Sequence, residues 1–235
     1  MKTLAIDTST YALSIGLADG EILLAEQVTN VKKNHSVRVM PAIESLMKEV
    51  DLGPADLEKI VVANGPGSYT GVRIGVTIAK TLGWTLNIPV AAVSSLAALA
   101  ASAPVTGGLV CPIFDARRGQ VFTGLYRLVN GTVQTVIADQ NILATAWCKQ
   151  LLQQEETVLF VGQDSHMHEK AIMEEMGDAA VFAGAAVPYA RPAALLALGK
   201  KLETDPAEVV PNYARLAEAE AKWIEANEKK AAGRE

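Results

Sequence analysis

Cysteine is scarce: Cys111 and Cys148 are the only two in 235 residues, and no CxxC pairs them. That argues against a disulfide framework and leaves two buried free thiols in a reducing cytoplasm as the expected state. Histidine is nearly as rare. His35, His166 and His168 supply no third metal ligand nearby, and an i, i+2 pair such as His166 and His168 shares a face only on a strand, whereas this pair stands at a helix start. No Gly-Lys-Ser/Thr follows the glycine-rich stretch, so a Walker loop is absent, and Ser36, Ser68 and Ser94 lack the Gly-x-Ser-x-Gly setting of a nucleophile elbow. Residues 81–114 contain no Asp, Glu, Lys or Arg, yet Pro89, Pro104, Gly107 and Gly108 interrupt them well short of a membrane span, so they read as buried strand, helix and strand. An acid arrives at Asp7, which leaves no apolar run for a signal peptide and points to a cytoplasmic chain. The net charge of −5 supplies no overall basic face, which argues against a free-standing nucleic-acid binder and leaves contact with RNA through a partner open.

Half the residues are hydrophobic and a fifth are charged, as in an ordinary globular protein. The organising stretch is Asn64-Gly-Pro-Gly-Ser-Tyr-Thr-Gly-Val-Arg-Ile-Gly75. It follows an apolar strand at 60–63, turns through Gly65, Pro66 and Gly67, and enters a helix that Ser68 or Thr70 caps. Within the helix Gly71, Gly75, Ala79 and Gly83 recur every four residues and make one face smooth. Each glycine costs a helix interior about 0.5–1 kcal/mol relative to alanine, so another backbone is expected close against that face. The remaining faces carry Val72, Ile74, Val76, Ile78, Leu82 and Leu86, which predicts a helix buried nearly all round.

Three strands open the chain: Leu4 to Ser9, Ala12 to Ala18 and, after the Asp19-Gly20 turn, Glu21 to Val28. A helix from about His35 to Val50 carries Met40, Ile43 and Met47 in one stripe, with Pro41 kinking it or marking its true start. Strand, helix, strand at 89–93 and a short helix capped by Ser94 or Ser95 complete a first unit over 1–103. After a Pro/Gly hinge at 103–108 the order repeats over 104–210, with an Asn130-Gly131 turn in the same role. Residues 211–235 hold an amphipathic C-terminal helix free to return to the first unit. A duplicated βββαβα pattern fits the α/β actin, hexokinase and Hsp70-like (ASKHA) class.

In that class two hairpins, one per half, clasp phosphates, often through Asp-x-Gly. Here they read Asp7-Thr-Ser-Thr10 and Asp115-Ala-Arg-Arg118, without the glycine that lets backbone approach a phosphate.

Ile6-Asp-Thr-Ser9, the 64–75 stretch, Asp115-Ala-Arg-Arg-Gly119 and Pro211-Asn-Tyr-Ala-Arg-Leu-Ala-Glu-Ala-Glu220 resemble the bacterial TsaB (YeaZ) family. The resemblance implies a non-catalytic subunit that works with TsaD and TsaE in N6-threonylcarbamoylation of adenosine 37 in tRNAs reading ANN codons. It places metal and substrate on TsaD, ATP use in the complex, and no cofactor on this chain. TsaD carries a His-x-x-x-His pair after the strand matching 89–93. Here that region is Val93-Ser-Ser-Leu-Ala-Ala-Leu99, without histidine. The resemblance further implies pairing, with TsaD or with a second copy, through helices around 36–50 and 70–86. Met40, Ile43, Met47, Gly71, Gly75, Ala79 and Gly83 are the interface residues expected. A kinase-like ATPase or a peptidase of the same superfamily is the enzymatic alternative, and a structural homodimer unrelated to tRNA is another.

Overall fold

Each half of the chain folds in the same order, and the two halves exchange a helix. A computed structural model describes residues 1–104, 107–129 and 131–214. Of the C-terminal helix expected over 211–235, residues 211–214 are described and are not helical; the rest, with Asn130 of the turn and residues 105–106 of the hinge, lies outside the described residues.

The first unit runs β1 (Lys2–Asp7), β2 (Ala12–Asp19), β3 (Ile22–Asn30), α1 (Val39–Glu49), β4 (Lys59–Ala63), α2 (Tyr69–Leu86), β5 (Val90–Val93) and α3 (Ser95–Ala101). The second runs β6 (Leu109–Asp115), β7 (Gln120–Val129), β8 (Thr132–Leu143), α4 (Ala144–Leu152), β9 (Val158–Val161), α5 (Ser165–Met176), β10 (Ala180–Phe182) and α6 (Pro192–Gly199). The sheets are ordered β3-β2-β1-β4-β5 and β10-β9-β6-β7-β8, the same topology twice. In each, antiparallel hairpins on one side meet parallel strands on the other.

Local chemistry sets the helix ends. The Ser68 hydroxyl accepts from the Gly71 amide at 3.3 Å and Ser94 from the Ala97 amide at 3.1 Å. Asn87 closes α2 in the left-handed region at φ 54°. Pro41 lies in the first turn of α1, where no amide is needed; the helix begins at Val39, preceded by a 3-10 turn at His35–Val37.

Alternation along β1 and β4 separates two cores. Leu4, Ile6, Ile60 and Val62 meet Val72 and Val76 of α2 and Ile43 and Met47 of α1. Ala5, Val61 and Ala63 face the other way, into a shared middle core with Leu96, Leu99, Val110, Tyr126 and Leu195. A third core around Trp147 and Phe160 serves the second sheet.

The exchange corrects the sequence division at 103 and 210. α3, which ends the first unit, packs on β6, β7 and β8 of the second sheet; α6, which ends the second, packs on all five strands of the first. A Cβ on Gly16 would lie 2.5 Å from the Pro192 Cβ, and one on Gly199 would lie 2.6 Å from Val61 Cγ2. Those approaches seat both ends of α6 on the first sheet. Described residues 191–213 therefore belong spatially with the N-terminal half.

Candidate docking surface and the two hairpins

The hairpin between β1 and β2 is bound up in its own structure. Asp7 is buried, and its Oδ1 accepts from the Ser9 amide at 2.8 Å. Burial pushes its carboxyl above the ordinary range, opposed by that amide. The Thr8 hydroxyl donates to the Gly71 carbonyl at 2.7 Å, and Thr10 Oγ1 accepts from the Ala12 amide at 3.2 Å. The Ser9 carbonyl accepts from the Ser68 amide at 2.7 Å, and the Gly67 backbone lies so close that a Cβ there would be 3.0 Å from Ser9 Cβ. His35 donates through Nε2 to the Thr10 carbonyl at 2.8 Å. The Thr8 and Thr10 hydroxyls are thus engaged within the fold, while Ser9 Oγ is buried with no partner among the described residues.

At the second hairpin Arg117 and Arg118 take left-handed φ of 66° and 55° and stand exposed. Asp115 Oδ1 accepts from His168 Nε2 at 3.0 Å, and the Asp115 amide donates to Asp164 at 3.0 Å. His166 is exposed on a different side of α5 from buried His168. Among the described residues no group of three or more His, Cys, Asp or Glu side chains gathers as a metal site.

The smooth face of α2 turns inward, which corrects the docking role expected for its glycines. A Cβ on Gly71 would run into the Thr8 carbonyl oxygen, one on Gly75 would lie 2.5 Å from Thr8 Oγ1, and one on Gly83 would lie 2.6 Å from Val90 Cγ2. Ala79 is fully buried. The backbone pressed against this face is the chain's own β1 end. Ile43 and Met47 also point into the core, whereas Met40 is 45% exposed.

The opposite stripe of α2 is open, so the helix is not buried all round. Tyr69, Arg73, Thr77, Thr81 and Trp84 follow one another at helical spacing, and Trp84 is 84% exposed. A hollow of about 460 Å³ lies beside Tyr69, Arg73, Ile74, Thr77 and Ile78, reaching Ser36. A groove of about 1100 Å³ begins at the same Thr77 and runs past Lys80 and Trp84 to residues 203–207. The signal for this stripe was present in the sequence as Arg73, Thr77 and Trp84 at i, i+4 and i+11, polar or bulky amid small and apolar residues.

A strap from 203 to 213 edges the surface. Thr204 exchanges backbone hydrogen bonds with Val90, and Lys80 Nζ donates to the carbonyls of Ala207 and Val209 at 2.9 and 2.8 Å. Further on, Tyr213 stacks on Tyr69 with ring centroids 5.2 Å apart, and Arg73 Nε donates to its hydroxyl at 2.7 Å.

A family model described as "TsaD: tRNA N6-adenosine threonylcarbamoyltransferase" matches residues 23–223. The "tRNA threonylcarbamoyladenosine biosynthesis protein TsaB" of Bacillus subtilis is 53% identical over 226 residues, which cover 96% of this chain and 99% of that protein. The chain belongs to the TsaB family. "YeaZ from Pseudomonas aeruginosa" superposes with a TM-score of 0.74 at 26% identity, covering 90% of this chain and 99% of that one. Component A of the Acidaminococcus fermentans (R)-2-hydroxyglutaryl-CoA dehydratase shares the ASKHA fold alone, at TM-score 0.50 and 13% identity over 86% of this chain and 98% of that one.

Two stretches that carry the TsaB likeness, far apart in sequence, meet in space. The Asn212 amide donates to the Asn64 carbonyl at 2.6 Å, Asn64 Nδ2 donates to the Val210 carbonyl at 3.2 Å, and the Asn212 carbonyl occupies the room that a side chain on Gly65 would need. Glycine at 65, with φ of 112°, is required both by that approach and by its backbone.

Proposed function

We propose that this chain is a non-catalytic docking subunit of tRNA threonylcarbamoyladenosine biosynthesis, presenting the exposed α1–α2 surface to the catalytic paralogue TsaD. The observation that carries the reading is the open stripe of α2. It sets Trp84 and two hollows that meet at Thr77 along a helix whose other side is locked to its own sheet. Exposed apolar surface of this kind, rimmed by polar groups, marks protein contacts. The hairpins support the scaffold role, since Asp7, Thr8 and Thr10 of the first hydrogen-bond internally and neither carries the Asp-x-Gly glycine of a phosphate loop.

On this reading metal, substrate and the transferred group belong to TsaD, ATP is used by the complex with TsaE, and tRNA is met through the assembly. A second copy of the chain competes for the same face, and the site of action is the cytoplasm. The test is reconstitution of the modification from the threonylcarbamoyl donor, TsaD, TsaE and tRNA, with this chain, without it, and with Thr77→Arg. Product formation should need the chain and should drop with the variant. Equal yield in its absence would overturn the reading, and ATP turnover by the isolated chain would favour the enzymatic alternative.

A further inference from the structure

We propose that the hairpin end of the α1–α2 surface is charge-keyed: it takes an acidic patch on the partner protein. The inference rests on that surface being the docking face. Lys32 Nζ lies 5.5 Å from the Tyr11 ring centroid, with Lys33 exposed beside it. The His35–Thr10 hydrogen bond ties this segment to the hairpin tip, and Ser36 carries it into the hollow beside Arg73. Arg73 places its guanidinium 4.4 Å over the Tyr69 ring. Arg38 donates to Thr29 Oγ1 through one guanidinium nitrogen, while another is buried with no partner among the described residues.

None of these four cations forms an ion pair with a described residue. The sequence explains why. Residues 27–43 and 59–114 contain no Asp or Glu, although the whole chain carries a net charge of −5. Further along α1 the first carboxylate, Glu44, is already held by Lys48 at 2.7 Å. In a two-fold pair a compensating carboxylate would have to come from the same face, whose far end carries Glu203 and Asp205 beside the groove. Among the described residues this end of the face has none to offer. A heterologous acidic surface supplies the missing charge and raises the encounter rate.

Protein is favoured over single-stranded RNA by two features. Tyr69 already stacks on Tyr213 and lies under Arg73, so its faces are not a free platform for bases. The cations also border exposed apolar side chains, Val37 and Met40, which suit a packed protein contact.

The experiment measures TsaD binding by the full chain and by Lys32→Glu/Lys33→Glu, with both melted by circular dichroism, across about 50 to 500 mM salt. Both lysines are exposed, so the variant should stay folded. Expected are a wild-type TsaD affinity that falls about tenfold or more with salt and a variant about tenfold weaker at low salt. Affinity indifferent to both salt and reversal overturns the charge key and leaves the docking face standing. No wild-type binding to TsaD at any salt overturns the docking reading, and the key with it. Unchanged TsaD affinity together with lost binding of a single-stranded RNA oligonucleotide would assign the patch to RNA and overturn the proposal.

Discussion

Thr8 and Gly71 hold the first hairpin against α2 from both sides. The Thr8 hydroxyl donates to the Gly71 carbonyl at 2.7 Å, while the Thr8 carbonyl oxygen fills the place of any Cβ on Gly71. One turn on, a Cβ on Gly75 would lie 2.5 Å from the same hydroxyl. The helix approaches β1 this closely only because its inward face lacks side chains.

The consequence is that glycine substitutions on α2 act on folding before they act on assembly. Gly75→Arg should unfold the chain, because a long charged side chain has no space and no partner in that contact. Gly75→Ala should cost about 1–3 kcal/mol, a typical overpacking value. Combining it with Thr8→Ala should recover part of that loss, since the clashing hydroxyl is then gone. Denaturant unfolding of the four chains in this cycle is the measurement. A folded Gly75→Arg protein that merely fails to bind TsaD would contradict the intramolecular account.

The cleft side of the fold predicts a pH dependence. Asp139 Oδ2 accepts from Ser94 Oγ at 2.5 Å and Oδ1 accepts from the Tyr126 hydroxyl, tying α3 to the second sheet. Burial raises the Asp139 carboxyl above its ordinary value, with Ser94 and Tyr126 opposing. A carboxyl whose pKa is higher folded than unfolded binds its proton more tightly in the native state. Its contribution to stability is therefore full below the unfolded value and falls as pH rises through the folded one. Asp7 shifts the same way for the same first reason. Urea midpoints from about pH 4 to 7 should fall less steeply for Asp139→Asn than for the wild type, the difference isolating this one carboxyl. Parallel curves would remove Asp139 from the account.

Much of this architecture was legible from local chemistry. Hairpin turns at Gly20, helix caps at Ser68 and Ser94 and the repeated strand order all follow from residues within a few positions of one another. The glycine periodicity rightly signalled a close backbone, but periodicity carries no information about which chain supplies it. The approaching group, Thr8, is 63 residues away. The exchange of α3 and α6 was hidden for the same reason: their packing partners lie in the other half, and short alanine- and leucine-rich helices look alike on either sheet. The exposed stripe was obscured because Val72, Ile74, Val76, Ile78, Leu82 and Leu86 suggest a helix buried nearly all round, which outweighs the signal at Arg73, Thr77 and Trp84.

Thiol chemistry gives an independent check on packing. Cys111 accepts a hydrogen bond from Trp147 Nε1 at 3.2 Å within the second core, and burial pushes its thiol up to about 12. Burial also lifts the Cys148 thiol, to about 11. Since the thiolate is the reacting species, neither should titrate with a disulfide reagent at pH 8 in the native state, and both should do so in denaturant. Rapid labelling of one equivalent in the folded protein would contradict the packing of that core.

Lys59 tests the exchanged helix most directly. It begins β4 with its side chain 0% exposed, on the same side of the strand as Val61 and hence away from α2. Its ammonium donates to the Lys200 carbonyl at 2.9 Å and lies 3.8 Å from a Glu203 carboxylate oxygen. Lys200 is the residue after Gly199, the last of α6, so the cation sits at the negative end of that helix and satisfies one of its open carbonyls. Lys59→Met keeps most of the volume and loses the donor, and should cost about 1–3 kcal/mol. Lys59→Ala adds a cavity under the helix and should cost about 2–5 kcal/mol. Because the docking stripe lies across the sheet, TsaD affinity of the folded fraction should be unchanged in both. Urea unfolding beside TsaD titration reads the two quantities separately. A variant of full stability would show that α6 needs no anchor at its C-terminus, and lost affinity in a fully folded variant would place Lys59 in the docking machinery instead.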